Sequence, residues 1–138
     1  MVVSDIEASV TFYTDVIGFT EVEGFRVPAA FCTAAGLTKD KPLAVRVLVL
    51  GEGEDATKLK LMQVADVQPK QADHSQLGFS YLTIFITDTN AALERLRTGG
   101  TAPLAKGPVR IGEDPSGAYL TLVRDPDGNL IELIGPRK

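Results

Sequence analysis

The chain of 138 residues holds one cysteine and one histidine. Cys32 has no second thiol with which to form an internal disulfide or a thiolate metal site, so its expected role is that of a small buried thiol. His74 lies in a polar stretch, Lys70-Gln-Ala-Asp-His-Ser-Gln76, and is expected to be a solvated loop residue. A single imidazole also excludes a multi-histidine metal site within one chain. Basic residues are outnumbered, 14 Lys and Arg against 18 Asp and Glu, which gives a net charge of -4 and a pI near 4.9. Phosphate binding needs clustered Lys and Arg, so no nucleic-acid partner is expected. No apolar run approaches the ~20 residues of a membrane span, and the first residues lack the basic-then-apolar layout of a signal peptide. These absences lead to the expectation of a cytoplasmic protein with no membrane partner.

What is present is ordinary for one globular domain: 44% hydrophobic and 23% charged residues in a length that can bury a core. The most informative stretch is the last, where two apolar runs flank Asp125-Pro-Asp-Gly-Asn129. Pro126 pre-sets φ for the second turn position and Gly128 accepts a positive φ, so the stretch predicts a β-hairpin. Alternation in its second arm puts Leu130, Glu132 and Ile134 on one face and Ile131 and Leu133 on the other. Glu132 is then either a wet surface charge or a carboxylate held on an apolar face, and the rest of the chain bears on which.

Ile6, Val10, Tyr13 and Ile17 recur at helical spacing, with Ser4 or Asp5 as N-cap and Gly18 as the stop. Strands are expected over 19–25, 42–50 and 57–64, with 26–41 a long connection and 65–77 a linker. The order then restarts. A strand over 79–87 leads into a helix capped by Asp88 and running to Arg97 before Gly99-Gly100, followed by a short strand near 109–111 and the closing hairpin. The halves align directly: Val3-Ser4-Asp5 falls on Ile86-Thr87-Asp88, and Leu59-Lys60-Leu61-Met62 falls on Ile131-Glu132-Leu133-Ile134. Each half is β-α-β-β-β, over residues 1–65 and 78–138. Such modules place helices on one side and curve their sheets around a common concavity. Parity puts Leu82, Ile84 and Ile86 toward a helix and Phe79, Tyr81, Thr83 and Phe85 toward the concavity with Glu132. Ordinary core filling is the rival reading of those aromatics.

These pieces resemble the vicinal oxygen chelate superfamily, which includes glyoxalase I, the bleomycin-resistance proteins and the extradiol dioxygenases. The matching residues are 3–19 with their Phe-Tyr-x-x-x-x-Gly-Phe, Gly78-Phe79 with its strand and Ile86-Thr-Asp88, and Asp125-Pro-Asp-Gly-Asn-Leu-Ile-Glu-Leu133. The resemblance implies an α+β fold in which two tandem βαβββ modules form an open eight-stranded mixed β-barrel around a concave pocket. In its metal-using members, ligands come from the first, often the fourth, the fifth and the eighth strands. Glu132 matches the eighth-strand ligand, Tyr81 stands where the fifth usually has His, Lys60 stands where glyoxalase I has Glu, and the first-strand position falls upstream of Met1. A lysine ammonium repels a divalent cation and a phenol is a weak ligand, so no functional metal centre or other cofactor is expected. If a metal is present, Glu132 is the residue that binds it.

The pseudo-symmetry suggests that Lys60 and Glu132 pair, the ammonium standing in for the missing cation; the alternative is that Lys60 snorkels outward and Glu132 is solvated. The expected function is that of a small-molecule binding protein like the metal-free bleomycin-resistance branch, with Arg46, Lys60, Phe79, Tyr81, Thr83, Phe85 and Glu132 lining the ligand site. The alternative is a metal-dependent lactoylglutathione lyase, isomerase or dioxygenase of the same superfamily. A third possibility is metal-free acid-base chemistry by Glu132, Tyr81 and Lys60. The resemblance also implies a homodimer, which would cover the edge left by a short opening strand.

Overall fold

Two aspartates start the opening helix of each half, and each does so through its own carboxylate. In a computed structural model describing residues 1–53, 56–66, 68, 81–111 and 117–138, Asp5 accepts the amides of Glu7 and Ala8, each at 3.0 Å, ahead of α1 (Ile6–Thr11). Asp88 accepts the amide of Asn90 at 2.9 Å ahead of α3 (Thr89–Thr98). A short acceptor at this position satisfies amides that have no partner within the helix. Among the described residues no helix is long and apolar enough to cross a membrane. The chain divides into two compact units, Met1–Pro69 and Lys70–Lys138.

In the first unit, the expected helix over 6–17 changes pitch midway. Beyond α1, residues Phe12–Ile17 continue as a π-helix that ends at Gly18, whose φ of 105° suits only glycine without strain. The Thr14 hydroxyl donates back to the Val10 carbonyl at 3.0 Å, a competitor for the helical ladder. The apolar stripe read from the sequence is buried: Val10, Tyr13 and Ile17 all lie in the core, and Tyr13 packs edge-on against Phe12 and Phe19. Burying side chains of this size contributes about 2 kcal/mol each.

The sheet of this unit is β1 (Thr20–Val27), β2 (Leu43–Leu50) and β3 (Thr57–Gln63), antiparallel and in that order. A bulge interrupts β1 between Val22 and Phe25, and Gly24 sits within it. A Cβ on Gly24 would lie 2.3 Å from the Val45 carbonyl oxygen, so the close approach requires glycine. The stretch 26–41, expected to be plain connection, contains the short helix α2 (Ala29–Ala34). This helix buries Cys32 against Leu43, Val45 and Val47, which fulfils the expectation of a buried thiol.

The second unit carries β4 (Tyr81–Phe85), β5 (Val109–Arg110), β6 (Ala118–Arg124) and β7 (Leu130–Pro136). Their order is β4-β7-β6-β5, with β4 parallel to β7 and the other pairs antiparallel. The hairpin expected around Asp125 forms. Its turn is held by the buried Asp125 carboxylate, which accepts the amides of Asp127 at 3.0 Å and Asn129 at 2.8 Å and the Asn129 side chain at 3.0 Å. One face of this sheet, with Ile84, Thr121, Val123, Ile131 and Leu133, is buried, as are Thr89, Ala92 and Leu96 of α3. The Thr89 hydroxyl donates to the Gly135 carbonyl at 2.8 Å and ties the helix start to β7.

The internal repeat read from the sequence is matched at the strand pairing that opens each half. Val2 forms a parallel bridge to Met62, and Phe85, its aligned counterpart, pairs with Ile134, the counterpart of Met62. The Val3 amide donates to the Met62 carbonyl at 3.0 Å and the Ile86 amide to the Ile134 carbonyl at 2.8 Å. The expected eight-stranded barrel is not what the described residues form. They make seven strands in two sheets, of three and four strands. In the first unit the counterpart of β4 is the single bridge between Val2 and Met62.

Candidate functional site

The register of β4 on β7 places Thr83 beside Glu132, as strand parity required. The Thr83 hydroxyl donates to Glu132 Oε2 at 2.7 Å, a charge-assisted bond that fixes the carboxylate's orientation. Glu132 is half-buried, and among the described residues its second oxygen, Oε1, accepts no hydrogen bond. The register across β6 and β7 gives Glu132 the neighbours Leu120, Leu122, Leu130 and Ile134 on the same face, with Arg124 at its edge donating to the Gly128 carbonyl at 2.8 Å. A carboxylate in such surroundings favours a partner that donates a hydrogen bond or carries positive charge.

The two aromatics expected on this face are not core residues. Tyr81 is 55% exposed and Phe85 76% exposed, so ordinary core filling does not explain them. Both alternate with Leu82 and Ile84 along β4, and Ile84 is buried on the opposite face. Phe79 and His74 lie outside the described residues.

The two basic residues expected at the site belong to the first unit and stand on opposite faces of its sheet. Lys60 is directly opposite Val47, whereas Arg46 is opposite Leu61, and adjacent residues of one strand point to opposite sides. Lys60 is exposed, with its ammonium 5.6 Å from the centre of the Phe25 ring. Arg46 reaches back toward α1. Its guanidinium donates to both oxygens of Glu21, with Nη2 to Oε2 at 2.8 Å, and through Nη1 to Glu7 at 2.6 Å. The hydrogen bond from Arg46 holds the Glu21 carboxyl below its ordinary range, against the burial that raises it. The bond to Glu21 likewise raises Arg46, which is a permanent cation here. A shared lining of Arg46 with Lys60 is therefore not formed; Arg46 is a clamp between helix and sheet. Its partners were not read from the sequence. Glu7 is 39 positions away and Glu21 25, and no local pattern signals such pairs.

The donor set on the Glu132 face can be weighed against a divalent ion. It offers one carboxylate, the Tyr81 phenol and a hydroxyl that already donates to the carboxylate, whereas a catalytic zinc takes about three protein ligands. Among the described residues no group of three His, Cys, Asp or Glu side chains is placed to hold a metal ion. The face does not fit such an ion.

Comparison with known proteins agrees with this architecture. A family model described as the Glyoxalase/Bleomycin resistance protein/Dioxygenase superfamily matches residues 1–133. Among solved structures, a glyoxalase family protein from Bacillus cereus is similar over 100% of this chain and 91% of its own, with a TM-score of 0.76 and 18% identity. A glyoxylase/bleomycin resistance protein/dioxygenase domain from Frankia sp. is similar over 99% of this chain and 87% of its own, with a TM-score of 0.69 and 17% identity. The trypanothione-dependent glyoxalase I of Leishmania major is similar over 98% of this chain and 81% of its own, with a TM-score of 0.65 and 24% identity. A search of curated proteins by sequence gives no match. Identities this low speak to fold alone, but the match of the family model over nearly the whole chain speaks to descent, and the chain belongs to the glyoxalase/bleomycin-resistance/dioxygenase superfamily.

Proposed function

We propose that this protein binds a small organic ligand on the Glu132 face of its second unit, and does so without a resident divalent metal or other cofactor. The observation that carries the reading is the Thr83–Glu132 pair. One carboxylate oxygen is fixed by the hydroxyl and the other is open to a ligand among the described residues. The surrounding leucines and Ile134 supply apolar contact, and Tyr81 and Phe85 are exposed on the adjoining edge strand. A few oriented polar groups on an apolar surface are what small-molecule sites generally use. The ligand this arrangement favours has a hydrophobic body and an amine, amide or hydroxyl donor for Glu132. The protein acts in the cytoplasm as a homodimer, with the β4 edge as a surface that gains from cover.

The test is a thermal-shift screen of amine- and amide-bearing aromatics with and without chelator, repeated on Glu132→Gln. A ligand shift that survives chelation and disappears in the variant supports the reading; a shift that chelator removes sinks it. Sedimentation of the free protein at the mass of one chain would remove the homodimer.

A second reading, a metal-dependent lyase, isomerase or dioxygenase, draws on one observation. A hydroxyl that orients a carboxylate is the kind of outer contact that also orients metal ligands. Elemental analysis decides between the two, since stoichiometric zinc, nickel, manganese or iron in the purified protein belongs only to the second.

A further inference from the structure

The first unit contains a cleft that shares no residue with the Glu132 face. It opens at the end of the sheet where β1 and β3 finish and β2 begins, and its volume is about 610 Å³. That is within the ~300–1,000 Å³ range of small-molecule sites. The walls are apolar, with Val27, Pro42 and Val64 among them, and the prolines on either side of the strand ends stiffen the rim. Among the described residues the charged side chains of its lining are Arg26 and Lys41, and none is a carboxylate. Lys41 is balanced by Asp66, so the unbalanced charge at the cleft is that of Arg26.

The two cations are not equivalent. Lys41 donates to the Ala65 carbonyl at 2.7 Å and pairs with Asp66 at 3.2 Å, which pins its ammonium at the wall. Arg26 is exposed, and among the described residues its guanidinium forms no ion pair or hydrogen bond. Nearby cations are already engaged: Arg46, which lines an adjoining cavity of about 370 Å³, is held by Glu7 and Glu21. An unengaged guanidinium at the mouth of an apolar cleft has the geometry to receive a planar anion through two parallel N–H bonds.

We propose that this cleft is a binding site for a small organic carboxylate with an aryl or short alkyl body, its charge held by Arg26 with help from Lys41 and its hydrocarbon packed on Pro28, Pro42 and Ala44, the last of which stands directly opposite Arg26. A neutral molecule of the same shape lacks the ionic contact. Inorganic phosphate has the charge but cannot use the walls.

The experiment is titration of the isotopically labelled full chain with benzoate and hexanoate, followed by amide chemical shifts, with benzamide, 1-hexanol and inorganic phosphate as comparisons. The carboxylates should move the amides of Val27, Leu43 and Val64 and bind at least about tenfold more tightly than their neutral counterparts or phosphate, as expected for one charge-assisted contact. Arg26→Gln should weaken the carboxylates by a similar factor and Arg26→Lys by less. Arg26 is exposed, so both variants should fold, and their undisturbed spectra check this. Glu132→Gln should leave carboxylate binding unchanged, which separates this site from the one proposed above. Equal binding of benzoate and benzamide, phosphate binding as tight as benzoate, shifts confined to other residues, no binding by either carboxylate, or full affinity in folded Arg26→Gln would each overturn the proposal.

Discussion

Lys60 on β3 and Glu132 on β7 stand two residues before Met62 and Ile134, the residues that bridge to Val2 and Phe85 in their respective units. The backbone positions are equivalent and the surroundings are not. Glu132 has a parallel neighbour strand that supplies the Thr83 hydroxyl, and it is half-buried. In the first unit that neighbour is a single bridge, and Lys60 is exposed over the Phe25 ring. Two copies of one module thus keep their backbone devices while their polar chemistry diverges. Backbone devices should be costly to alter in both units, and side-chain devices should be costly only where a unit uses them.

The backbone half of that comparison is tested by two glycines. A Cβ at Gly24 would lie 2.3 Å from the Val45 carbonyl oxygen, and one at Gly135 would lie 2.3 Å from the Ile86 carbonyl oxygen. Neither obstacle is a flexible side chain, so each strand must move. Gly24→Ala and Gly135→Ala should each destabilise the protein by about 3 kcal/mol in urea unfolding. An unchanged stability in either variant would show that its close approach relaxes at little cost.

The hairpin turns come next. Asp125 holds the β6–β7 turn with a buried carboxylate accepting from Asp127 and Asn129, whereas the β2–β3 connection begins with exposed Gly51, Glu52 and Gly53. Asp125→Ala leaves three donors without their acceptor and should cost about 2 kcal/mol. Glu52→Ala should change the unfolding midpoint hardly at all.

The turn at Asp125, the Asp88 cap and the alternation of β4 and β7 were legible in the sequence because each follows from residues a few positions apart. Asp5 was one of two N-cap candidates, and the structure chose it. Other features depend on distant partners. Helix α2 is short and has Cys32 as its buried residue, so the stretch offers no period; it forms where Leu43, Val45 and Val47 give Cys32 a place to pack. The π-helical turn in Phe12–Ile17 has the same apolar spacing as an α-helix and could not be told from one. Arg46 has a reading that parity alone cannot supply. Alternation separates it from Lys60, but only the fold brings Glu7 and Glu21 to meet it.

That clamp gives the first unit a pH dependence of its own. Glu21 has a depressed folded-state pKa, so it contributes stability above its unfolded value near ~4.3 and loses it as pH falls through the lower folded value. Arg46→Gln should destabilise the protein by about 1 kcal/mol at neutral pH, a figure already discounted for the partial exposure of the pair. The same variant should lose less stability on acidification below about pH 5 than the parent does. If parent and variant have parallel stability profiles across that window, the clamp is not what Glu21 titrates against.

The smallest effect is expected at Lys60, and it tests the comparison most directly. An exposed ammonium over an aromatic ring is worth about 0.5 kcal/mol, and Lys60 has no ion pair among the described residues. Lys60→Met keeps the aliphatic stem that can lie on Phe25 and removes the charge. Its unfolding free energy should fall within about 0.5 kcal/mol of the parent, and the ligand shift that depends on Glu132 should persist. A larger loss would mean that the charge of Lys60 does more than the ring contact accounts for, and loss of the ligand shift would mean that it takes part in ligand binding.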